Sequence, residues 1–136
     1  MNEKYMKIAI DEAHKAYKEG EVPVGAIIIK NDKIISKAHN LVEKKHCSIM
    51  HAEILAIKKA TKKIRNWRLN GCEMYVTLEP CTMCAAAIAN SRIDKVYFSS
   101  KRDIFEMEHL NCIHLNTFSS ETTKLLKDFF KSRRSD

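Results

Sequence analysis

The stretch Val24-Gly25-Ala26-Ile27-Ile28-Ile29-Lys30 sets the architecture expected for this chain of 136 residues. Its apolar, β-branched run predicts a strand, and because the apolar residues are consecutive, both faces of the strand are expected to be buried. Asn31-Asp32 is a turn signal, and Lys33 to Ala38 predicts the return strand of a hairpin. A strand buried on both faces needs a layer on each side of its sheet.

The segment before this strand predicts a helix over Glu3 to Glu19, since its apolar residues recur at helical spacing with charged residues between them. Gly20 stands where a helix often ends in a glycine. Pro23 prevents the helix from continuing. The predicted helix therefore leads directly into the predicted central strand.

The rest of the chain alternates between helical and strand patterns. His39 to Ile49 is polar, has no period and predicts a loop. The later elements are predicted as a helix over Ala52 to Arg65, a strand over Glu73 to Leu78, a helix over Cys81 to Asn90, strands over Asp94 to Ser99 and Ile113 to Phe118, and a helix from Ser119 or Ser120 to about Lys131. This order predicts one α/β domain over residues 1–136, with helices on both faces of a mixed five-stranded sheet.

The composition favours a polyanionic partner. The formal net charge is +7, which suits a nucleic acid before a membrane surface, although a solvated lysine face gives the same number. The N-terminal residues do not read as a signal peptide, and no apolar run is long enough for a membrane span. We therefore expect a cytoplasmic protein with no membrane partner. Five cysteines, an odd number, do not indicate a disulfide framework.

Two short motifs carry the chemistry of the chain. His51-Ala52-Glu53 supplies an imidazole and a carboxylate, and Pro80-Cys81-Thr82-Met83-Cys84 supplies two thiols three positions apart. On a helix, side chains three apart share one face, and a helix N-terminus favours thiolate formation. His51, Cys81 and Cys84 suit a zinc site whose fourth position is left for water.

Glu53 is placed to act as a general acid and base beside the metal. Two other interpretations use the same residues. A closed structural zinc site would recruit Glu53 or His39 as a fourth ligand. A redox C-x-x-C pair is the other, and it leaves His51 and Glu53 without a role.

A further group of possible ligands is His109, Cys112 and His114. No fourth ligand with suitable spacing follows it, so we interpret these residues as surface or partly buried side chains. Cys47 and Cys72 are isolated and are expected to be small apolar fillers or loop thiols.

Trp67 precedes Arg68 just after the second predicted long helix. A tryptophan beside an arginine can form a platform for base stacking. We instead expect Trp67 to pack at the helix end.

Taken together, these motifs resemble the zinc-dependent nucleobase deaminases, whose signature is H-x-E followed by P-C-x-x-C. Within that superfamily the chain resembles the bacterial tRNA-specific adenosine deaminases. The matching pieces are Gly20 to Ala26, Asn40, His51 to Glu53, Tyr75 to Ala85 apart from position 82, Ser91 to Ile93, Asp128 to Phe130, and Arg133-Arg134. The segment Ser99 to Asn116 and the stretch Cys47 to Met50 depart from the family pattern.

The resemblance implies a cytidine-deaminase-like fold and hydrolytic deamination of adenosine to inosine at the wobble position of a tRNA anticodon. It implies Zn²⁺ as cofactor, with His51, Cys81 and Cys84 as ligands and Glu53 as the proton carrier. It also implies a homodimer that binds a tRNA anticodon stem-loop. The residues implied in substrate binding are Val24, Asn40, Ala52, Phe129, Arg133 and Arg134.

Two other functions fit the same motifs. One is a deaminase of the same fold that acts on a free nucleobase or nucleoside, namely cytosine, cytidine or guanine. The other is a zinc-stabilised RNA-binding module without catalysis, against which the intact Glu53 argues. Salt dependence distinguishes an RNA substrate from a free base, because phosphate contacts weaken steeply as salt rises.

Overall fold

The computed structural model describes residues 3–102 and 112–134. The elements are α1 (Glu3–Lys18), β1 (Gly25–Lys30), β2 (Lys33–His39), α2 (Val42–Lys45), α3 (Ala52–Ile64), β3 (Cys72–Leu78), α4 (Thr82–Asn90), β4 (Lys95–Ser100), β5 (Cys112–His114), a 3₁₀ turn (Asn116–Phe118) and α5 (Ser119–Arg134). The predicted α/β fold is confirmed, and each of the predicted helices and strands has an observed counterpart.

The five strands form one mixed sheet in the order β2-β1-β3-β4-β5. β1 pairs antiparallel with both β2 and β3, and the pairs β3–β4 and β4–β5 are parallel. The α4 crossover between β3 and β4 makes their parallel pairing possible. The mixed sheet predicted from the sequence is therefore present.

Each face of the sheet carries its own apolar core. On one face, Ile27 and Ile29 of β1 pack with Tyr75 of β3 and with the buried face of α1. On the other face, Ala26 and Ile28 pack with side chains of α3 and α4. Alternate residues of β1 thus serve opposite cores, which explains the unbroken apolar run in the sequence.

Helix α1 lies very close to the start of β1. A Cβ atom added at Gly25 would stand 2.0 Å from the Ala9 carbonyl oxygen and 2.6 Å from the Ala13 nitrogen. Only glycine allows the two backbones to approach this closely. Gly25 also donates its N–H to Thr77 Oγ1 at 3.1 Å, which ties the beginning of β1 to β3.

Two sequence predictions need correction. The predicted loop from His39 to Ile49 contains the one-turn helix α2, which was missed because its N-terminus is capped from another part of the chain. The predicted strand from Ile113 to Phe118 is only Cys112–His114, after which the chain forms a 3₁₀ turn. Both segments are short, and their form depends on tertiary contacts more than on local pattern.

The packing role predicted for Trp67 is wrong. Its side chain is 53% exposed, and Leu69 fills the core in this region instead. The guanidinium groups of Arg68 and Arg92 lie 4.5 and 5.8 Å from the centre of the Trp67 ring. Cation–π contacts therefore hold the ring at the surface.

Cys72 is fully buried in the core, as predicted for a small apolar residue. Within residues 3–102 and 112–134, no helix combines the length and apolar character that crossing a bilayer requires.

Candidate active site

The proposed metal ligands lie at the N-termini of two helices. His51 is the N-cap residue of α3, and Cys81 is the N-cap residue of α4. Cys84 lies in the first turn of α4, three residues after Cys81. The partial positive charge at each helix N-terminus favours thiolate over thiol. One helix and one strand bring together residues that are thirty positions apart in the sequence.

The geometry of the three donors fits a tetrahedral zinc site. The ligand atoms of His51, Cys81 and Cys84 all lie within 4.8 Å of one another. His51 Nδ1 is 3.7 Å from Cys81 Sγ and 3.4 Å from Cys84 Sγ. Ordinary Zn–N and Zn–S bond lengths at a tetrahedral angle place the nitrogen and sulfur about 3.6 Å apart. The two nitrogen–sulfur separations therefore match those that a shared zinc ion requires.

The electrostatics of the ligands also favour a bound cation. Burial raises the pKa of the Cys84 thiol well above its usual range, and the nearby Glu53 carboxylate adds to this effect. Burial, followed by the positive charge of Arg102, lowers the pKa of His51. A neutral imidazole is ready to bind metal, and a divalent cation offsets the cost of a buried thiolate.

Glu53 lies in the first turn of α3, beside the three donors, and is 2% exposed. Burial raises the pKa of its carboxyl group, while its backbone hydrogen bond, the charge of Arg102 and the hydrogen bond with Cys84 act in the opposite direction. A carboxyl group whose pKa is moved towards neutrality can both accept and release a proton. The role of Glu53 as a general acid and base stays a prediction.

The alternative metal ligands considered from the sequence are not placed with the three donors in the described residues. Among the described residues, His51, Cys81 and Cys84 are the only group of three His, Cys, Asp or Glu side chains placed to share an ion. The ring nitrogens of His39 contact Glu12 at 3.1 Å and Glu19 at 3.2 Å. His39 is therefore occupied elsewhere and does not close the zinc site.

Of the second candidate cluster, only Cys112 and His114 lie within the described residues. His114 Nε2 lies 2.9 Å from the Ser99 carbonyl oxygen and donates a hydrogen bond to it. Cys112 is partly buried in β5, and His109 lies outside the described residues. The interpretation of His114 and Cys112 as partly buried side chains is confirmed.

A cavity of about 840 Å³ opens onto the candidate centre. His51 and Glu53 line its floor, and α5 closes one side with Leu126, Phe129 and Phe130. The remaining lining residues are Gly20, Glu21, Val22, Val24, Asn40, Val42, Glu43, Ser48, Leu78, Lys101 and Arg102. Its volume is in the range of sites that hold a small organic group such as a nucleoside.

The residues predicted to bind substrate fall into three groups. Val24, Asn40 and Phe129 line the cavity. Ala52 is fully buried, and its N–H donates to Asn40 Oδ1 at 2.7 Å, which fixes the orientation of the asparagine amide. The backbones of residues 133 and 134 belong to the end of α5, and the side chains of Arg133 and Arg134 lie outside the described part of the structure.

Glu21 is a site residue that the sequence reasoning missed. Its carboxylate is 1% exposed and accepts the N–H groups of Glu43 at 2.9 Å and Lys44 at 2.8 Å. These amides belong to α2, which has no side-chain cap of its own at Leu41. Glu21 therefore connects the segment between α1 and β1 to α2, and both segments line the cavity. Its position in the Gly20-to-Ala26 motif was visible, but its distant partner was not.

Replacing Glu21 by glutamine is expected to loosen α2. The amide has only one acceptor oxygen, so at least one backbone N–H loses a charge-assisted bond worth about 1.5–3 kcal/mol. We expect the amides of Glu43 and Lys44 to exchange hydrogen at least about tenfold faster. Glu121→Gln, at an exposed residue of α5, is the matched control. Unchanged exchange at both amides would contradict the capping role.

Lys101 and Arg102 were also missed, because they begin the segment in which the sequence pattern is least clear. Arg102 donates its backbone N–H to Glu79 Oε1 at 3.0 Å and its Nε–H to the Glu79 carbonyl at 2.7 Å. Glu79 directly precedes the Pro80-Cys81 pair. The end of β4 is thus joined to the loop that carries a predicted metal ligand.

With this geometry in place, comparison with known proteins identifies the family. Residues 1–100 match the family described as the cytidine and deoxycytidylate deaminase zinc-binding region. The chain belongs to this family of zinc-binding deaminases. The zinc cofactor expected from the donor set agrees with this assignment.

The relatives narrow the assignment to one branch. The chain is 44% identical over 146 aligned positions to a tRNA-specific adenosine deaminase of Aquifex aeolicus, covering 98% of this chain and 97% of that protein. A solved structure from a study of A-to-I editing by tRNA:A34 deaminases is 31% identical, with a TM-score of 0.83 and coverage of 91% of this chain and 99% of the other. A guanine deaminase structure from Nitrosomonas europaea, 21% identical with a TM-score of 0.84, covers 95% of this chain and 84% of that one and shares the fold. Within the family, the chain therefore groups with the bacterial tRNA-specific adenosine deaminases.

Proposed function

We propose that this protein hydrolyses adenosine to inosine at the wobble position of a tRNA anticodon and releases ammonia. The observation that carries the proposal is the buried Glu53, which lines a nucleoside-sized cavity together with His51 and lies beside a group of three possible zinc ligands. The match to tRNA-specific adenosine deaminases along nearly the whole chain supports the choice of adenosine. The family assignment therefore supports the proposed substrate class, and the geometry of the site supports the proposed reaction type.

In this proposal His51, Cys81 and Cys84 hold a zinc ion. When bound there, zinc supplies an acidified water as nucleophile at neutral pH. Glu53 takes a proton from the attacking water and delivers it to ring N1. The same carboxylate then takes the second proton of that water, now on the hydroxyl at C6, and passes it to the departing amine, so one residue serves both proton transfers. Water and adenosine give inosine and ammonia, with no redox partner.

The cavity walls would orient the base for this reaction. Asn40 Oδ1 is already occupied by the Ala52 N–H, so the amide NH₂ of Asn40 remains as a directed donor towards the cavity. Val24 and Phe129 offer apolar surface to the nucleoside. Val24 is 4% exposed and Phe129 is 7% exposed, so both are held by packing. We assign these three side chains to substrate binding.

Electrostatic attraction between the basic protein and the RNA phosphates would bring the tRNA to the site. The chain has a net charge of +7, and an anticodon loop presents unpaired bases that cost less to extrude than paired ones. We propose that Arg133 and Arg134 at the end of α5 contact RNA phosphates. We further propose that the protein acts as a cytoplasmic homodimer in which both subunits contact the anticodon stem-loop.

The experiment that tests this function compares substrates. Zinc-loaded protein is incubated with an anticodon stem-loop carrying adenosine at the wobble position, and in parallel with adenosine, cytidine, cytosine and guanine. We expect inosine in the stem-loop and little conversion of the free compounds, with activity falling steeply as salt rises. Preference for a free base with little salt dependence would assign the chain to the free-nucleobase deaminases instead.

A further inference from the structure

The cations of the cavity are concentrated at one place on its wall. Among the described residues that line it, Lys101 and Arg102 are the only lysine or arginine. Lys101 is exposed and Arg102 is partly buried. Of the three acidic lining residues, Glu21 accepts two backbone N–H groups, Glu53 lies beside the metal donors, and Glu43 is exposed to solvent. An anionic part of a ligand would therefore settle at Lys101 and Arg102.

The guanidinium of Arg102 is held in advance of binding. Glu79 fixes both its backbone N–H and its Nε–H, and Glu79 itself is 8% exposed and donates its own N–H to the Ser100 carbonyl at 2.8 Å. The terminal nitrogens of Arg102 carry four more N–H donors. Within residues 3–102 and 112–134 no acceptor for them is found. A guanidinium that is fixed at one edge, and whose other edge has no acceptor among the described residues, suits two-point binding of a phosphate.

Arg102 lines the same cavity as His51 and Glu53, the residues that would act on the base. A phosphate bound to its guanidinium would therefore be close to the nucleoside in the cavity.

We propose that Arg102, assisted by Lys101, binds the backbone phosphate adjacent to the nucleoside that enters the cavity. This inference rests on the proposed function. It means that Lys101 and Arg102 favour a nucleotide within an RNA strand over a free nucleoside. The chemistry that is recognised is a phosphate on the ribose of the target nucleoside. We take its source to be the phosphodiester of an RNA loop, because the exposed Lys101 offers a second cation beside Arg102, which suits a strand that carries several phosphates.

The test uses the full zinc-loaded protein with Arg102→Gln and Lys101→Gln. On the anticodon stem-loop we expect Arg102→Gln to raise KM about 10–100-fold, the effect of losing a charge-assisted hydrogen bond. The value of kcat at saturating RNA should stay within about threefold, because phosphate binding is shared by ground state and transition state. The slope of log(kcat/KM) against log[salt] should fall in magnitude by about 0.7. Lys101→Gln, which leaves the Glu79 contacts intact, should lower the slope similarly with a smaller change in KM.

Lys33→Gln is the matched control, since Lys33 is exposed and lies at the far end of the β1–β2 hairpin from Val24. It removes the same charge and should leave KM and the salt slope unchanged. Zinc content is measured in every variant. A fall in kcat with loss of zinc in Arg102→Gln, together with a normal Lys101→Gln, would show a structural role in the metal loop and overturn the proposal.

Adenosine 5′-monophosphate is used as a second substrate. It distinguishes recognition of the phosphodiester of an RNA strand from recognition of the phosphate of a free mononucleotide. An effect of Arg102→Gln confined to the stem-loop supports the strand phosphodiester, and an effect confined to the mononucleotide overturns it. A wild-type protein that converts the stem-loop, with an unchanged Arg102→Gln variant, overturns this inference and leaves the proposed function standing. A wild-type protein that converts only free bases overturns both.

Discussion

Alanine at position 53 is expected to lower kcat for deamination by at least about 10³-fold while zinc remains bound. Glu53 is a buried carboxyl group in hydrogen-bond contact with Cys84, and general acid–base catalysis contributes about 10²–10⁴-fold per group. Because this one residue would carry out two proton transfers, its loss should fall in the upper part of that range. Zinc content by elemental analysis and single-turnover rates on a saturating stem-loop measure the two quantities separately.

Glu53→Gln is the companion variant, since glutamine keeps the volume of a side chain that is 2% exposed. It should lose activity as severely as alanine, because the amide cannot carry a proton between water and base. Near-normal turnover in either variant would contradict the role of Glu53. Loss of zinc from both variants would instead make Glu53 a fourth ligand and the site a closed structural one.

Serine at position 84 is expected to remove both zinc and activity. Cys84 is fully buried, and its Sγ lies 3.4 Å from His51 Nδ1. A hydroxyl group is a far poorer zinc ligand than a thiolate, so the metal content should fall well below one per chain. Stability should fall as well, because a ligand present at 100 times its Kd stabilises the folded state by about 2.7 kcal/mol. Thermal unfolding with and without a chelator measures this contribution.

Cys72→Ser is the control for the packing part of that loss. Cys72 is also fully buried, but it lies in the core of the sheet and outside the metal cluster. It should lose stability by burying a hydroxyl group and yet keep its zinc, its chelator response and its kcat. If Cys84→Ser behaves like Cys72→Ser, keeping its zinc and activity, Cys84 is a packing residue and the proposed ligand set is wrong.

The residues of the candidate metal site were easier to predict from the sequence than the contacts that form the cavity walls around them. His51, Cys81, Cys84 and Glu53 could be predicted because their spacing places them at two helix N-termini, and local periodicity predicts those helices. The covered sheet could be predicted because Ala26 to Ile29 is apolar at consecutive positions. These features depend on residues that are close in the sequence, where periodic pattern is informative.

The missed features depend on contacts between distant residues. Helix α2 forms because a carboxylate more than twenty positions away, Glu21, accepts its amides, and no pattern within residues 42–45 indicates this. Arg102, which follows β4, is fixed by Glu79, which lies in the loop between β3 and α4. Trp67 was expected to pack at the helix end, yet its ring is exposed and contacts two arginines at the surface. Pairings of this kind can be read only from the folded chain.

The measurement that bears most directly on the proposed function is conversion of total tRNA in water enriched in oxygen-18. After incubation with the zinc-loaded protein, the tRNA is digested to nucleosides for mass spectrometry, and a second portion is sequenced to locate inosine. The proposed reaction predicts inosine at the wobble position alone, with one oxygen-18 atom for each adenosine converted, and no product with Glu53→Ala. Inosine at scattered positions, inosine without the label, or ammonia released only from free bases would contradict it.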